Sequence, residues 1–507
     1  MFRFFKKYHK WLGLVFSLFL IIYSISGIVL NHRDLLSGID ASRKFMPKSY
    51  TYHNWNLGAL RGSELIGTDS ILLYGNMGIW LANGKLETLR DYNHGLPEGM
   101  DNRKIYKIYK SHSGQLYMAG LRGAYHWNIS EHKWQKLEIE AEDERFLDIT
   151  EKQGTIIFLS RSYLFIMEES NQFQNFKKIQ LQNPTDYDHK IGLFKTLWFI
   201  HSGEIYGHMG KLLVDLLGLV FILLSLGGIF YFFMPGKIKR VHQKGNSVEH
   251  LKGFHKWNLR WHNRLGYWFI FFLLITTITG IFLRPPGLIF IASSKVGKIP
   301  FTTLATPNAW FDKLRAIHFD EERGVFLLLS DAKAYELDEH FEFPPIAYDF
   351  QPPISIMGVN VLEKITTDTY LIGSFSGLFE WNPKRKLLFD FQNQRSYQPV
   401  KTVGPPIQNS SISGWLSNET SDYFYTDYDN GLISVNPKLP SPHMPAQIQK
   451  LPISLWNMAL EIHTGRYFSF LLGMFYILIV PVVGLSTLFI LISGLIVWWK
   501  KYLRKAA

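Results

Sequence analysis

The sequence predicts a membrane protein with four transmembrane α-helices and an all-β, propeller-like domain outside the membrane. Three observations carry this prediction: four apolar runs of membrane-spanning length, an internal duplication, and short strand-and-turn repeats between the runs. The 507 residues include 54 Lys and Arg, 42 Asp and Glu, 18 His and no Cys. The absence of Cys excludes disulfides, thiolate nucleophiles, Cys-ligated metal centres and covalently attached c-type haem. A metal or redox cofactor would therefore be held mainly by His.

Four apolar runs reach the length of about 20 residues that a bilayer requires. They are Trp11–Leu30, Leu212–Met234, Leu265–Leu283 and Phe468–Trp499. The first is too long for a signal-peptide core and is followed by polar Asn31–Asp34, so we expect it to remain as a helix. Pro481 lies midway along the last run and predicts a kink there.

Basic residues flank one side of these runs. The segments Met1–Lys10, Pro235–Trp261 and Lys500–Ala507 hold 4, 7 and 4 Lys or Arg. The positive-inside rule places these segments and both termini in the cytoplasm, so we expect a bacterial inner-membrane protein with large periplasmic regions. The excess of basic residues behind the net charge of +12 therefore indicates how the protein is oriented in the membrane, and nucleic-acid binding is not expected.

The predicted division of the chain has seven parts. They are helix 1 with its cytoplasmic N-terminus (1–30), a periplasmic β region (31–190), helix 2 (191–235), a basic cytoplasmic loop (236–261), helix 3 (262–284), a second periplasmic β region (285–455), and helix 4 with its cytoplasmic C-terminus (456–507).

The two halves repeat each other. His9 and His262 each stand three residues before a Leu-Gly pair, and each is followed 18 residues later by a Gly. His201 and His463 open helices 2 and 4 as His-Ser-Gly and His-Thr-Gly. We infer a duplicated unit of helix, outside region and helix.

Small residues recur near the helix ends, at Ser26-Gly27, Gly227-Gly228, Thr279-Gly280 and Ser493-Gly494. Helices in lipid associate through close backbone contact, which small residues allow. The same positions could also make room for a flat ligand between helices. The two interpretations are compatible.

The outside regions carry a finer repeat. Short alternating strands, followed by turns rich in Asn, Gly or Pro, begin at Gly78, Gly123, Gly377 and Gly431, with weaker copies at Tyr163–Phe173 and Ala332–Phe341. Their spacing within a half, roughly 40–55 residues, is close to the length of a propeller blade. We expect about three blades in each half. Six blades could close into one ring, and the alternative is two separate β domains.

The repeated histidines have two interpretations. A lone His near a membrane surface ordinarily caps a helix or extends its polar end to the interface. If the halves instead pack about a pseudo-twofold axis, His9 faces His262 near the inner surface and His201 approaches His463 near the outer one. Paired imidazoles suit a bis-His b-type haem, so two haems are expected.

These motifs resemble a known family. His-x-x-Leu-Gly, the Asn31-His32 that ends helix 1, and the His-[Ser/Thr]-Gly that opens helices 2 and 4 are similar to the PepSY-associated transmembrane helix proteins. The resemblance covers about a quarter of the chain. It implies b-type haem, electron flow toward the periplasm, and reduction of siderophore-bound iron(III) to iron(II). Blade-like repeats stand where a PepSY domain would be expected.

Further residues are candidates for the same site. His32 lies 23 residues after His9, about 34 Å along a helix, so it could replace His201 or His463 as the outer ligand. His208 lies two turns after His201 and is expected on the same helix face. His242 and His255 are expected in the cytoplasmic loop.

Charged residues near the helix ends also have alternative roles. Asp215 is a candidate for proton transfer or quinol contact, and otherwise a partner for Lys211. Arg264 and Arg466 could bind haem propionates or simply reach the membrane surface.

The residues therefore favour a membrane di-haem electron-transfer protein that reduces a periplasmic ferric chelate. The cytoplasmic segments are too small to bind NAD(P)H or flavin, so electrons are expected from membrane quinol or a separate reductase. The alternative is a non-enzymatic protein whose β domain binds a ligand or assembles with an outer-membrane transporter. No substrate residues are predicted in the β regions.

Overall fold

The structure is a computed structural model, and it describes residues 2–86, 88–171, 173–355, 357–397 and 411–502. Two compact units can be distinguished. The helical unit comprises Met1–Leu36, His189–Ala305 and the chain from Leu455 onward, and the β unit comprises Ser37–Asp188 and Thr306–Ser454. Each unit is thus built from both halves of the chain.

Ten α-helices lie within the described residues. They are α1 Phe2–Asn31, α2 Arg33–Leu36, α3 Leu193–Ser202, α4 Gly207–Gln243, α5 Glu249–Phe282, α6 Gly287–Ile291, α7 Ala446–Gln449, α8 Leu455–His463, α9 Ser469–Leu472 and α10 Ile479–Tyr502. Four helical stretches are long and apolar enough to cross a membrane, namely Phe2–Asn31, Glu204–Gln243, Glu249–Phe282 and Arg466–Lys500. The four predicted spans are confirmed, and the chain is a membrane protein.

Matched glycines interrupt predicted helices 2 and 4. Gly203 and Gly465 both adopt left-handed backbone conformations, with φ of 83° and 78°, directly beyond the short helices α3 and α8. Single 3₁₀ turns follow at Glu204–Tyr206 and Arg466–Phe468. Gly tolerates positive φ without a steric penalty, so the repeated His-[Ser/Thr]-Gly motif encodes a break in the helix.

The expected kink at Pro481 is not where helix 4 bends. Pro481 lies in the first turn of α10, where backbone N–H groups have no acceptor within the helix. A proline at this position therefore breaks no helical hydrogen bond. The interruption lies upstream, at Gly465 and again at Gly473, whose φ is 53°.

The segment expected to be a cytoplasmic loop, 236–261, is largely helical. Helix α4 continues through Pro235 to Gln243, and α5 begins at Glu249, so only 244–248 connects them. His242 and His255 therefore lie on helices, and their expected loop positions are wrong. Hydropathy marks only the stretch that can lie in lipid, whereas Lys, Arg, Gln and Glu continue a helix readily beyond it.

The four long helices form a bundle. Both α1 and α5 pack against α4 and α10, so α1 and α5 lie on one diagonal of the bundle and α4 and α10 on the other. Leu217, Val220, Phe221, Leu273 and Leu491 form its buried centre. This arrangement places repeat-related helices opposite each other, as the duplication predicts.

The strands follow in chain order. They are β1 Asp40–Ala41, β2 Gly62–Gly67, β3 Ser70–Gly75, β4 Gly78–Ala82, β5 Leu89–Asp91, β6 Ile105–Lys110, β7 Leu116–Gly120, β8 Gly123–Asn128, β9 Lys133–Lys136, β10 Phe146–Lys152, β11 Thr155–Ser160, β12 Leu164–Glu168, β13 Lys177–Ile179, β14 Lys190–Gly192, β15 Lys295–Gly297, β16 Leu314–Asp320, β17 Val325–Ser330, β18 Ala334–Asp338, β19 Ile346–Ala347, β20 Val359–Thr366, β21 Thr369–Ser374, β22 Gly377–Asn382, β23 Leu387–Asp390, β24 Arg395–Ser396, β25 Ile412–Ser417, β26 Tyr423–Asp427, β27 Gly431–Ser434 and β28 Ile453–Ser454.

The β unit is a single ring of six antiparallel blades. The blades are β2–β5, β6–β9, β10–β13, β16–β19, β20–β24 and β25–β27. Their first strands adjoin one another in a cycle, β2 to β6, β10, β16, β20, β25 and back to β2. Strand β25 also pairs with β2 through Gly62 and Trp415, which joins the last blade to the first. Three blades come from each half, and the prediction of a single ring is confirmed. Closing the ring is favourable because it removes the exposed strand edges that three blades alone would have.

The predicted strand-and-turn repeats are the third strands of the blades. Gly78, Gly123, Gly377 and Gly431 each begin such a strand with a positive φ, between 83° and 135°. The two weaker copies contain β12 and β18, the third strands of the remaining blades. Apolar side chains fill the spaces between neighbouring blades, for example Leu72, Ile79, Ile108, Met118 and Trp134 between the first two.

Candidate functional site

His9 and His262 face each other across the helix bundle. They project from the diagonal helices α1 and α5, and their ring centroids are 6.3 Å apart with an interplanar angle of 84°. Both side chains are partly buried. The sequence-predicted inner pair is therefore brought together.

His201 and His463 form a second, equivalent pair. They lie at the ends of the short helices α3 and α8, two residues before the left-handed Gly203 and Gly465. Their ring centroids are 6.2 Å apart, with an interplanar angle of 53°. Helix α8 ends at its His, and α3 ends one residue after its His. The two imidazoles therefore lie at helix ends rather than within a continuous transmembrane helix.

Hydrogen bonds orient three of the four imidazoles. Each Nδ1 lies near a main-chain carbonyl and a hydroxyl on a neighbouring helix: His9 near Ile490 O (2.9 Å) and Ser493 Oγ (3.2 Å), His201 near Thr276 O (2.9 Å) and Thr279 Oγ1 (3.3 Å), and His463 near Tyr23 O (3.1 Å) and Ser26 Oγ (3.0 Å). A carbonyl can only accept, so Nδ1 carries the proton in each ring. The Nε2 lone pair of a neutral ring is then left for another partner.

His262 follows the same pattern less completely. Its buried Nδ1 lies toward the main-chain carbonyl of Leu224 but does not form a hydrogen bond of standard geometry within the described part of the chain. By sequence position, Leu224 and Gly228 correspond to Ile490 and Gly494, so the expected carbonyl acceptor is that of Leu224. The neighbouring hydroxyl is missing because Gly227 replaces the Ser or Thr of the other three sites.

The repeated glycines face the imidazole rings. A Cβ atom added to Gly280 would lie 2.8 Å from Cε1 of His201, and one added to Gly494 would lie 2.9 Å from Cε1 of His9. The equivalent distances are 3.2 Å from Gly27 to Cε1 of His463 and 3.9 Å from Gly228 to Cε1 of His262, and a Cβ atom added to the neighbouring Gly227 would lie 3.3 Å from Nδ1 of His262. These small residues therefore allow close helix packing and leave space for a ring. The rings that occupy this space are the His side chains, not a flat ligand.

The spacing of 18 residues places the two His pairs at different levels. It corresponds to five full helical turns and about 27 Å, so His9 and Gly27 lie on the same face at opposite ends of α1. Since His9 belongs to one pair and Gly27 contacts His463 of the other, the two pairs lie near opposite ends of the bundle.

His32 is bound to Asp215 rather than to the outer His pair. Its Nε2 lies 2.8 Å from Asp215 Oδ2, and Asn31 Nδ2 donates to Asp215 Oδ1 at 2.9 Å. Asp215 is buried within α4, at 9% exposure. The alternative partner for Asp215, Lys211, lies 3.0 Å from Glu204 instead. The sequence identified both Asp215 and His32 but not that they pair with each other.

The expectation that His208 shares a helix face with His201 is wrong. The break at Gly203 separates α3 from α4, and His208 is the second residue of α4 with an exposed side chain. Within the described residues it makes no ring contact with another His. Helical periodicity could not place His208 because it applies only within one uninterrupted helix.

Two arginines lie near the outer pair. Arg466 contacts Glu461 at 2.5 Å, while its buried Nε has no hydrogen-bond partner among the described residues. The Nε of Arg284, just beyond α5, is unsatisfied in the same way. Burial lowers the pKa of Arg284, and the nearby charge of Arg466 lowers it further. No role was predicted for Arg284 from the sequence, although a cation directly after an apolar span was a usable signal.

Arg264 is an exposed residue of α5 and lies over the Trp261 ring at 5.6 Å. This contact is consistent with the interfacial alternative. No group of three or more His, Asp or Glu suited to a bare metal ion occurs within the described ranges. The histidines thus form two separate pairs.

The fold and site define a class: a duplicated four-span membrane protein with two facing His pairs and a six-bladed β unit. The family model for the PepSY-associated TM region matches residues 6–501. The chain belongs to this family, and the resemblance inferred from the motifs is confirmed.

A search of curated proteins found no match. Among solved structures, the extracellular domain of BT4673 from B. thetaiotaomicron is 12% identical with a TM-score of 0.35, covering 80% of this chain and 36% of that one. PorZ, a surface component of the type-IX secretion system of Porphyromonas gingivalis, is 10% identical with a TM-score of 0.30, covering 74% and 31%. This chain thus spans about a third of those structures' length, and no functional statement follows from these likenesses.

Proposed function

We propose that the protein is an electron-transfer protein of the bacterial inner membrane that binds two b-type haems. His9 and His262 would hold one haem, and His201 and His463 the other. In this proposal the basic helix ends face the cytoplasm, and the β unit lies in the periplasm. The single observation that carries the proposal is the presence of two facing His pairs, with nearly equal ring separations, at two levels of one helix bundle.

The separation within each pair would suit a metal held between the two imidazoles. Metal–imidazole bonds are about 2.0–2.1 Å long, which places the two ring centroids roughly 6.3 Å apart. The observed separations are 6.3 and 6.2 Å. The Nδ1 hydrogen bonds of His9, His201 and His463 leave Nε2 as the ligating nitrogen, and such second contacts also raise ligand basicity.

The arginines near the outer pair fit the charge of a haem. Arg284 and Arg466 present two neighbouring cations whose Nε atoms have no hydrogen-bond partner among the described residues. Haem propionates are carboxylates, which guanidinium groups bind with paired hydrogen bonds. Arg284 is therefore a stronger candidate for this role than the exposed Arg264.

When bound, haem supplies one-electron transfer. The protein would use it to reduce a ferric chelate, for which a siderophore is the natural class, on the periplasmic side. Each electron converts one iron(III) to iron(II), which the chelate holds weakly and releases. The second candidate function, a non-enzymatic receptor, retains the same β unit but requires no haem.

The donor of these electrons is proposed to be membrane quinol. Quinol oxidation releases two electrons and two protons, so one quinol would reduce two ferric ions. The hydrogen-bonded His32 and Asp215 provide a proton acceptor at the end of α1, beside the start of α4. The five-residue connection 244–248 offers no room for a nucleotide-binding domain between α4 and α5.

The test is reduction of a ferric chelate by the purified protein. The full chain in lipid nanodiscs is reduced with dithionite, separated from excess reductant and mixed with ferric citrate or a ferric hydroxamate in the presence of the iron(II) chelator ferrozine. We expect the α-band absorbance to fall as the iron(II)–ferrozine complex forms. A reduced protein whose spectrum stays unchanged with every ferric chelate would overturn the reductase proposal.

A further inference from the structure

The β unit contains a cavity of about 280 Å³ where the first strands of the six blades meet. Each blade contributes one residue, at or next to the start of its first strand, to the cavity wall. These residues are Arg61, Tyr106, Leu147, Arg315, Asn360 and Ser413. The cavity is therefore formed at the same position in every blade.

Regular β-bulges bring these side chains to the cavity. In five blades, the pairing between the first and second strands shifts by one residue near the beginning of the first strand. In each case the shift leaves one residue of the first strand without a partner on the second strand. These residues are Tyr106, Leu147, Arg315, Asn360 and Ser413. A bulge re-aims a side chain, and bulges are frequent beside functional sites. Their recurrence indicates that the cavity is built by the fold and is not a packing defect.

Positive charge predominates in the cavity wall. Five cations and two carboxylates line it: Arg61, Lys107, Arg145, Arg161 and Arg315, with Asp148 and Glu363. Two of the cations have acidic partners. Lys107 lies 3.3 Å from Glu363, and Arg161 lies 2.5 Å from Asp312 outside the cavity wall.

The other three arginines form no ion pair with a carboxylate within the described ranges, although, against the effect of burial, the charges of Asp143, Asp312 and Asp101 help to raise the pKa of Arg145. Arg315 is only 7% exposed, and its Nη1 donates to the neighbouring carbonyl of Leu314 at 2.8 Å. Arg61 donates to Asn360 at 2.9 Å, and the buried Nε atoms of Arg61 and Arg145 have no hydrogen-bond partner in the described chain.

These cations are crowded together. Burial lowers the pKa of Arg315 to about 10, and the adjacent charge of Arg161 contributes to the same shift. Burying a charge without a counter-charge is unfavourable. An arrangement that keeps Arg61, Arg145 and Arg315 around one cavity without an ion pair is suited to an anion that enters it.

We propose that this cavity binds a small anion carrying carboxylate or phosphate groups. Guanidinium groups match the planar oxygen pairs of both through two parallel hydrogen bonds. The cavity volume equals that of roughly nine liquid water molecules, which accommodates inorganic phosphate or an organic acid with two or three carboxylates. The proposal concerns only the β unit and does not depend on haem binding.

The experiment measures anion binding to the full-length protein in nanodiscs by isothermal titration calorimetry, at constant ionic strength. Inorganic phosphate and citrate are titrated separately, with chloride as the monovalent comparison. We expect saturable binding of at least one of the two multivalent anions. The anion that binds more tightly identifies the chemical source, phosphate or carboxylate.

Variants test whether the arginines form the site. Arg315→Gln and Arg145→Gln are each expected to weaken binding at least tenfold, whereas Arg385→Gln, an exposed arginine outside this cavity, leaves it unchanged. Using two cavity variants guards against misfolding of either one, which circular dichroism detects. Absence of binding of both anions to the unmodified protein, or unchanged affinity in both folded cavity variants, would overturn the proposal.

Discussion

The Nδ1 of His9 lies 2.9 Å from the carbonyl oxygen of Ile490, so a histidine at the start of the first helix is oriented by the last one. His463 is oriented reciprocally, because its Nδ1 lies 3.1 Å from the carbonyl oxygen of Tyr23 on α1. Helix α1 therefore takes part in a His contact at both ends of the bundle, with α10 at one end and with α8 at the other. Removing such an orienting contact typically weakens metal binding 10- to 100-fold.

Substituting one member of a pair should remove one haem and leave the other. We expect His262→Ala to lose the centre shared with His9, because one imidazole cannot supply both axial ligands. Haem content from the pyridine haemochrome assay should fall from two to about one per chain, and His201→Ala should give the same result for the other centre.

His255→Ala is the matched control. His255 stacks on Tyr231 with ring centroids 5.2 Å apart and does not face another His, so its loss should leave haem content unchanged. Loss of both haems in His262→Ala, or of neither, would contradict the assignment of ligands in pairs.

A methyl group at Gly280 should disturb the outer pair. Its Cβ would lie 2.8 Å from Cε1 of His201, closer than real contacts allow, and the helix backbone cannot easily move away. We expect Gly280→Ala to displace the imidazole and to change the electron paramagnetic resonance signal or midpoint potential of one haem only.

The control for this substitution is Gly236→Ala. Gly236 lies in α4, and nothing lies within 4 Å of a Cβ added there. A spectrum of Gly280→Ala that is identical to those of Gly236→Ala and the unmodified protein would show that His201 does not ligate haem.

Asp215→Asn should slow electron entry from quinol without affecting the haems. The amide can retain hydrogen bonds to Asn31 and His32 but cannot accept a proton. Proton transfer by a positioned group typically contributes 10²- to 10⁴-fold, so we expect duroquinol to reduce the variant at least tenfold more slowly. Reduction by dithionite should be unchanged.

Glu204→Gln is the appropriate comparison because Glu204 pairs with Lys211 in the neighbouring segment, 3.0 Å away. If Asp215→Asn and Glu204→Gln are both reduced by duroquinol at the rate of the unmodified protein, Asp215 has no part in quinol oxidation.

Asp320→Asn should destabilise the β unit. Asp320 is fully buried, lies 2.7 Å from Lys364 and accepts a hydrogen bond from Tyr370 at 2.5 Å. The substitution leaves Lys364 with only the exposed Glu322 as an ionic partner, 3.1 Å away, and removes the charged acceptor of the Tyr370 hydroxyl, so we expect the free energy of unfolding to fall by about 3 kcal/mol. Denaturant titration followed by Trp fluorescence measures it. Asp368→Asn, which removes an exposed contact with Lys384, should cost no more than about 1 kcal/mol.

The effect of Asp320→Asn should depend on pH. Burial alone would raise the pKa of Asp320, but hydrogen bonds from Lys364 and Tyr370 outweigh it and hold the pKa below its ordinary value. The ionised carboxylate therefore stabilises the fold above the ordinary Asp pKa, and this contribution is lost as the pH falls through the folded-state pKa. A difference in unfolding free energy that stayed constant from pH 7 to pH 3 would contradict this.

Periodic features of the fold could be predicted from the sequence. The four spans were visible as apolar runs, and the blades as repeats beginning with Gly78, Gly123, Gly377 and Gly431. The two His pairs followed from the duplication, since equivalent residues of a twofold arrangement meet near its axis. Each of these signals lies within a short stretch or recurs at a fixed spacing.

Contacts between distant parts of the chain could not be predicted. The pairing of His32 with Asp215 joins residues 183 positions apart, and Lys211 was the nearer candidate in sequence. The helix break at Gly203 removed His208 from the predicted face, because glycine permits but does not require a left-handed conformation. The arginines of the β cavity come from three different blades and carry no shared motif.

The most direct test of the central proposal is the visible absorption spectrum of the purified full-length protein, with haem quantified as the pyridine haemochrome. We predict a Soret band, α and β bands that sharpen on reduction with dithionite, and two b-type haems per chain. A protein that lacks a Soret band after expression with ample haem would contradict the assignment of the His9–His262 and His201–His463 pairs as haem ligands.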